Sequence, residues 1–310
     1  MKKNGKDIVA NFYDAVPYHS AYFDGPASGR TRGDSYPRTL LEWSGRTIAP
    51  DETIRVLDAG CGRGESFFVM AKLNPDISFT AIDISRAAVA SVQKEIRARG
   101  LKNADVFEAD IMRLDPKRLG MFDVVLASGV IHHLADPVRG MRALRRVTKP
   151  DGVMSVMVYG AYRREVTKYV REFLAIALPR RTDEPVMAYA ARAKAFIAQI
   201  PNTVPMLAFG QADAADISDI EFADRYLHPR EKFYTVPEWF AECRKAKWKF
   251  LRWHRPDEWD MPLPETARQD LAPAERYHLA GLAYRADALS CLLVPDTRNH
   301  PLAKKRRRTG

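Results

Sequence analysis

Between residues 54 and 128, short apolar runs alternate with longer stretches of helical spacing. Ile54-Arg55-Val56-Leu57 reads as a buried parallel strand, and Ser78–Asp83, Ala104–Ala109 and Phe122–Ser128 read as three further strands. Glu65–Leu73 and Ser85–Arg99 carry the helical spacing between them. A Lys149-Pro150-Asp151-Gly152 segment, whose proline and glycine suit a turn, precedes a fifth apolar run, Gly152–Tyr159. Strand and helix taken in turn predict an α/β fold. Farther on, a helix over Pro237–Ala246 leads to a strand at Trp248–His254, and Ala288–Val294 reads as the closing strand. Pro256–Ala272 reads as irregular, and no internal repeat or heptad pattern is present.

The spacing of these elements divides the chain. Residues 1–49 precede the first core strand and are rich in aromatics, among them Phe12, Tyr13, Tyr18, Tyr22 and Tyr36. Residues 50–160 and 236–296 hold the core. Residues 161–235 carry helical patterns broken at Pro179, Pro185, Pro201 and Pro205. That stretch is too long for a plain connection and predicts a helical substrate-binding insertion. Residues 297–310 read as a basic, disordered tail.

Composition adds exclusions. The 46% hydrophobic content is ample for a core, and no run reaches the roughly 18 apolar residues of a membrane span. No hydrophobic region follows Met1-Lys2-Lys3, so no secretory signal is expected. Cys61, Cys243 and Cys291 share no metal spacing and cannot all be bridged, which fits a reducing cytoplasm, and no metal is expected. The net charge is +10, half of it from Lys304, Lys305, Arg306, Arg307 and Arg308. Such a block reads first as a solvated tail and second as a tether to nucleic acid. Arg139, Arg142, Arg145, Arg146 and Lys149 read as one solvated helix face.

The chemistry gathers where the strands end. Asp58 closes the first run, and Gly60, Gly62 and Gly64 follow at alternate positions before a helix. Glycines there let the backbone turn sharply and approach a ligand, and the helix offers free N–H groups to the same crevice. A dinucleotide site would continue with a small residue at position 65, but Glu65 puts an anion where a phosphate would sit, which disfavours a dehydrogenase. Asp83 lies 19 residues beyond Gly64 at the end of the second run, where a carboxylate can accept from both hydroxyls of a ribose.

An acidic strand end before G-x-G-x-G resembles motif I of the class I S-adenosylmethionine (SAM) methyltransferases. Val56–Gly64, Asp83, Asp110, Phe122–Asp136 and Lys149–Gly152 resemble that superfamily's successive motifs in order and spacing. The stretch His132-His133-Leu134-Ala135-Asp136-Pro137 resembles the small-molecule branch, similar to ubiquinone and menaquinone biosynthesis methyltransferases. Asp224–Pro229 with Phe233–Pro237 is similar to uncharacterised bacterial methyltransferases. The resemblance, not the periodicity, implies a Rossmann-like, doubly wound sheet of seven strands with the last antiparallel. It also implies that the segment before motif I forms a helical lid over the cofactor.

Site assignments follow from both sources. Asp58, Gly60, Cys61, Gly62, Gly64, Asp83, Ile84, Asp110, Ile111 and Ser128 are the expected cofactor contacts, with Asp110 and Ile111 placed for the adenine. SAM is the expected cofactor and S-adenosylhomocysteine its product. A base is needed where the acceptor arrives protonated, and His132 and His133 are the candidates, with His132 slightly preferred. Tyr13, Tyr18, Tyr159, His228, Arg230 and Tyr234 are candidate substrate contacts. The expected activity is transfer of a methyl group to an oxygen, nitrogen or carbon of a small molecule by in-line displacement. Methylation of RNA or protein, and a SAM-fold binding module without catalysis, stay open as alternatives. Ser128-Gly129-Val130-Ile131 is not the Asn/Asp-Pro-Pro-Tyr box of many amino methyltransferases, which disfavours methylation of a base amino group.

Overall fold

Val56 and Leu57 are neighbours on one strand and both are fully buried, so that strand has a core on each side. The computed structural model describes residues 7–16, 36–201 and 216–297. In chain order its elements are α1 (Ile8–Ala15), α2 (Tyr36–Trp43), β1 (Arg55–Ala59), α3 (Glu65–Leu73), β2 (Ser78–Asp83), α4 (Arg86–Ala98), β3 (Ala104–Glu108), α5 (Pro116–Leu119) and β4 (Phe122–Ser128). They continue with α6 (Pro137–Val147), β5 (Thr148–Tyr159), α7 (Ala161–Ala177), α8 (Val186–Ala198), α9 (Asp219–Leu227), α10 (Val236–Lys245), β6 (Trp248–Trp253), α11 (Glu265–Asp270), α12 (Pro273–Tyr284) and β7 (Ala288–Pro295).

The seven strands form one sheet in the order β3-β2-β1-β4-β5-β7-β6. The first five pair in parallel, and β7 runs antiparallel between β5 and β6. This is the doubly wound sheet with an antiparallel last strand that the resemblance implies. The order reverses between β1 and β4, so a crevice opens there above the C-terminal strand ends. On one face Leu57, Val125 and Met154 pack with Met141 of α6 and Trp239 of α10. On the other, Val56, Val124 and Phe79 pack with Leu40, Phe67 and Val92 of α2, α3 and α4.

A third cluster stands apart from the sheet. Val170 and Leu174 of α7, Ala190 and Ile197 of α8, and Phe222 and Tyr226 of α9 enclose Phe12 of α1 and Val16 just beyond it. The insertion helices and α1 thus form one cap. Polar bonds fix α1 to both sides. Ser85 Oγ, at the N-cap of α4, donates to Asp14 at 2.6 Å. Tyr13 donates to Asp224 of α9 at 3.0 Å, and Arg230 pairs with Asp7 at 3.1 Å.

Several expectations change. The Lys149–Gly152 turn lies within β5, where the pairing jumps from Phe122–Thr148 to Val124–Val153, so these residues bulge between paired positions. The region before the last strand is less irregular than the sequence suggests, because it contains α11 and leads into α12. The basic face of α6 is not simply solvated. Arg142 donates to the Lys245 carbonyl and Arg146 to that of Leu114, while Lys149 pairs with buried Asp123 at 2.8 Å. Lys304–Arg308, Tyr18, Tyr22 and Pro205 lie outside the described residues.

Candidate active site

The glycine loop is held open by its own backbone. Gly60 and Cys61 donate their N–H groups to the Ile82 carbonyl at 2.7 and 3.1 Å, which ties the loop to the end of β2. Gly60 has φ +85°, and a Cβ there would lie 2.4 Å from Val130 Cγ2. Only a residue without a side chain permits that turn. Gly62 N–H donates to Asp83 Oδ2 at 2.9 Å and Ser85 N–H to Oδ1 at 2.8 Å. Each oxygen keeps a lone pair for a further donor, so Asp83 can hold a diol while it fixes the loop. Burial pushes the Asp83 carboxyl up, and its backbone N–H bonds oppose that shift.

These groups line a cavity of about 920 Å³ above the strand ends. Ligand pockets run from about 300 to 1,000 Å³, so there is room for a nucleoside-sized cofactor and a second molecule. Asp58, Gly60, Cys61, Gly62, Asp83, Ile84, Asp110, Ile111 and Ser128 all line it; Gly64, the N-cap of α3, does not. Burial, with Asp83 nearby, raises the Asp58 carboxyl to about 7. The Cys61 thiol is pushed far up, first by burial and then by the two carboxylates, so it stays a small neutral group. Asp110 accepts from Met112 N–H at 2.9 Å. The loop's close approach, the lone pairs of Asp83 and the apolar Ile111 wall fit an adenosyl group.

The same cavity runs on to a second polar group set. Tyr13, His133, Tyr159 and Arg230 line it, as do Arg164 and Asp224, neither of which the sequence marked as a site residue. The chain segment after α9 builds this end by running beside β5. Lys232 N–H donates to the His132 carbonyl, and Tyr234 N–H to the Tyr159 carbonyl. His133 Nδ1 lies 2.9 Å from the Arg230 carbonyl. A carbonyl only accepts, so Nδ1 carries the proton and Nε2 keeps its lone pair. Burial lowers His133 to about 3, helped by Arg171 and Arg164, so it is neutral at any working pH. The Arg164 guanidinium stacks 3.4 Å from the Tyr159 ring centroid.

The two histidines separate. His132 is fully buried, is absent from the described cavity lining, and neither ring nitrogen has a hydrogen-bond partner. His228 accepts from Arg230 N–H through Nδ1, lies 3.8 Å from the His133 ring, and is not in the lining. Tyr234 is fully buried against Trp239 on the sheet side. His133 is therefore the imidazole that reaches the cavity, against the slight preference for His132. Arg171 and Glu231, paired with one another, were also missed. The available signal was charge at helical spacing in the insertion, at Arg164, Arg171 and Asp224, where a packed helix face needs apolar residues.

A family model described as a methyltransferase domain matches residues 50–184. An uncharacterised protein of Synechococcus sp. is 31% identical over 293 residues, which cover 91% of this chain and 70% of that one. A ubiquinone biosynthesis O-methyltransferase of Caulobacter vibrioides is 36% identical over 112 residues, 36% of this chain and 43% of the enzyme. PKMT2 from Rickettsia typhi, solved in complex with AdoHcy, superposes with a TM-score of 0.69 at 20% identity. The match covers 86% of this chain and 53% of that one, so the chain spans about half of PKMT2. At that identity the likeness shows the fold.

Proposed function

We propose that this chain, which belongs to the class I SAM-dependent methyltransferases, methylates a small molecule enclosed between its core and its cap. The carrying observation is one continuous cavity that runs from the glycine loop and Asp83 to His133, Tyr159 and Arg164. When bound, SAM would supply a sulfonium methyl to the acceptor's nucleophile, with the carbon–sulfur bond breaking in line and S-adenosylhomocysteine as the leaving group. The chain's task is then to align the two molecules and keep water out. Asp83 and the loop amides hold the adenosyl end. Tyr13, Tyr159 and Arg230 wall the acceptor, and the His133 Nε2 lone pair meets the proton on its nucleophilic atom. An imidazole held near 3 is a weak base, so it orients that proton rather than removing it beforehand.

The likeness to a ubiquinone biosynthesis O-methyltransferase supports a small-molecule acceptor, and a cavity set between core and cap has room for one. The internal bonds of Arg142, Arg146 and Lys149 leave less of the α6 face for nucleic acid. Among the described residues no helix is long and apolar enough to cross a membrane. The test is transfer of radiolabelled methyl from SAM into fractionated cell extract. Label should enter the small-molecule fraction; label confined to RNA or protein overturns the proposal. Replacement of His133 by Asn should cut kcat by about 100-fold with SAM affinity nearly intact.

A further inference from the structure

Two polar side chains at the acceptor end lack partners that their burial demands. His132 has no hydrogen-bond partner at either ring nitrogen, and Glu231 Oε1 has none, although Arg171 pairs with the other oxygen. Both side chains are fully buried. A buried polar atom left unsatisfied is costly, so an unexplained group of them points to something that binds there. His133 adds a third lone pair, because its Nδ1 proton is committed to the Arg230 carbonyl. One ring nitrogen of each histidine and one Glu231 oxygen lie within 4.8 Å of one another.

We propose that His132, His133 and Glu231 form a binding site for a first-row divalent metal ion at the acceptor end of the cavity. Two imidazoles and a carboxylate are the donors of zinc and its neighbours; magnesium and calcium prefer oxygen alone. Metal–ligand bonds of about 2.0–2.2 Å place tetrahedral ligands about 3.4 Å apart, so the three donors must draw in by roughly 1 Å. Side-chain rotation supplies that movement. The surroundings already resemble a supporting shell. A ligating histidine usually gives its other N–H to a carbonyl or carboxylate, as His133 does, and Arg171 steadies the second oxygen of Glu231. His228 is not a fourth ligand, since its Nδ1 accepts from Arg230 N–H and its Nε2 therefore carries the proton.

The position has a consequence for the acceptor. His133 lines the cavity and His132 and Glu231 do not, so His133 is the ligand on the acceptor side. Glu231 and Asp224 balance Arg171 and Arg164 nearby, so a dication leaves an excess positive charge there. An anionic oxygen, such as a phenolate or carboxylate, is the complement. The inference rests on the acceptor assignment above and deepens it: in the loaded protein the His133 Nε2 lone pair binds the ion in place of the acceptor's proton.

The test uses the untagged full chain, stripped with chelator, without SAM or acceptor, so its outcome is independent of methyl transfer. Titration with Co²⁺ should raise visible absorption bands that saturate near one ion per chain, and Zn²⁺ should displace them. His132→Ala and Glu231→Gln should each weaken binding by about 100-fold or more with the far-UV circular dichroism unchanged. Zn²⁺ should also raise the melting temperature of the unaltered chain, which keeps the test decisive where a variant folds poorly. No stoichiometric binding at millimolar Co²⁺ or Zn²⁺, or binding that both variants retain, overturns the proposal and leaves a direct His133–acceptor contact standing.

Discussion

At the glycine-loop end of the cavity Asp83 and the loop amides are hydrogen-bonded before any ligand arrives; at the His133 end several buried polar atoms have no partner. Asp83 accepts from two backbone N–H groups and Gly60 and Cys61 share one carbonyl, so the cofactor end is set by short-range bonds across two strand ends. The acceptor end joins α1, the turn after β4, the start of α7 and the segment after α9. His132, His228 and Glu231 there hold buried atoms without partners. A preorganised site loses little freedom when it binds, whereas an under-satisfied chamber gains its last bonds from the ligand. The first end is a fixed socket, and the second keeps its unpartnered atoms on residues outside the cavity lining.

The sharpest break of this comparison is Asp83→Ala. It removes the ribose acceptor and two loop anchors at once, each a charged hydrogen bond of about 1.5–3 kcal/mol. SAM affinity should fall by about 100-fold or more in calorimetry; near-normal affinity would show that the loop is held by something else. Gly60→Ala comes next. The side chain meets Val130 and the φ of +85° costs about 1–2 kcal/mol in any L residue, so SAM should bind about tenfold more weakly with a lower melting temperature. Gly62 is the control. Its φ is +53°, and no atom of the described residues comes within 4 Å of the place an added methyl would take, so Gly62→Ala should cost the backbone strain alone.

The difference between the ends also explains what the sequence could reveal. The cofactor end is made where each strand stops, so a short apolar run followed by Asp58, Asp83 or Asp110 already marks its place. Four of the parallel strands, β1, β2, β4 and β5, were legible because residues buried on both faces leave little polar alternation, whereas β3 at the sheet edge alternates, with Ala104 and Val106 buried and Asp105 and Phe107 exposed. The acceptor end depends on contacts between residues far apart in the chain, such as Tyr13 with Asp224 and His133 with Arg230. Nothing in local spacing shows that His132 turns inward while His133 faces the cavity. The helical spacing of Arg164 and Arg171 is the one hint of their place, and Glu231 looks like ordinary surface charge until α7 and the segment after α9 are folded together. α11 was hidden differently, inside the proline-rich stretch Pro256–Ala272 that read as irregular.

A change of pH separates the two ends more gently. Burial and the neighbouring Asp83 hold Asp58 near 7 in the free protein. An ionised Asp58 in the cavity wall favours the positively charged cofactor, and protonation removes that attraction. SAM affinity should therefore fall by about tenfold between pH 7 and pH 5.5. Asp58→Asn should flatten the profile while His133→Asn leaves its shape unchanged. A wild-type profile that is flat over this range removes Asp58 from cofactor binding.

Tyr13→Phe gives the smallest effect and probes the strap between the ends. The ring contacts with Phe12 and His228 survive the change, but Asp224 loses the phenol that donates to it at 3.0 Å. Burial raises Asp224 to about 6, and the Tyr13 bond opposes that rise. Between the unfolded value near 3.9 and about 6, the folded chain holds a proton that the unfolded chain has released, so stability falls as pH climbs. Without the phenol the folded carboxyl titrates higher still and the fall is larger. The variant should lose about 1–3 kcal/mol above pH 7, and the loss should shrink toward pH 4, where Asp224 is protonated in the folded chain. Thermal unfolding of both chains across that range measures it. A loss that does not depend on pH would mean that Tyr13 holds the cap by packing and not through the Asp224 carboxylate.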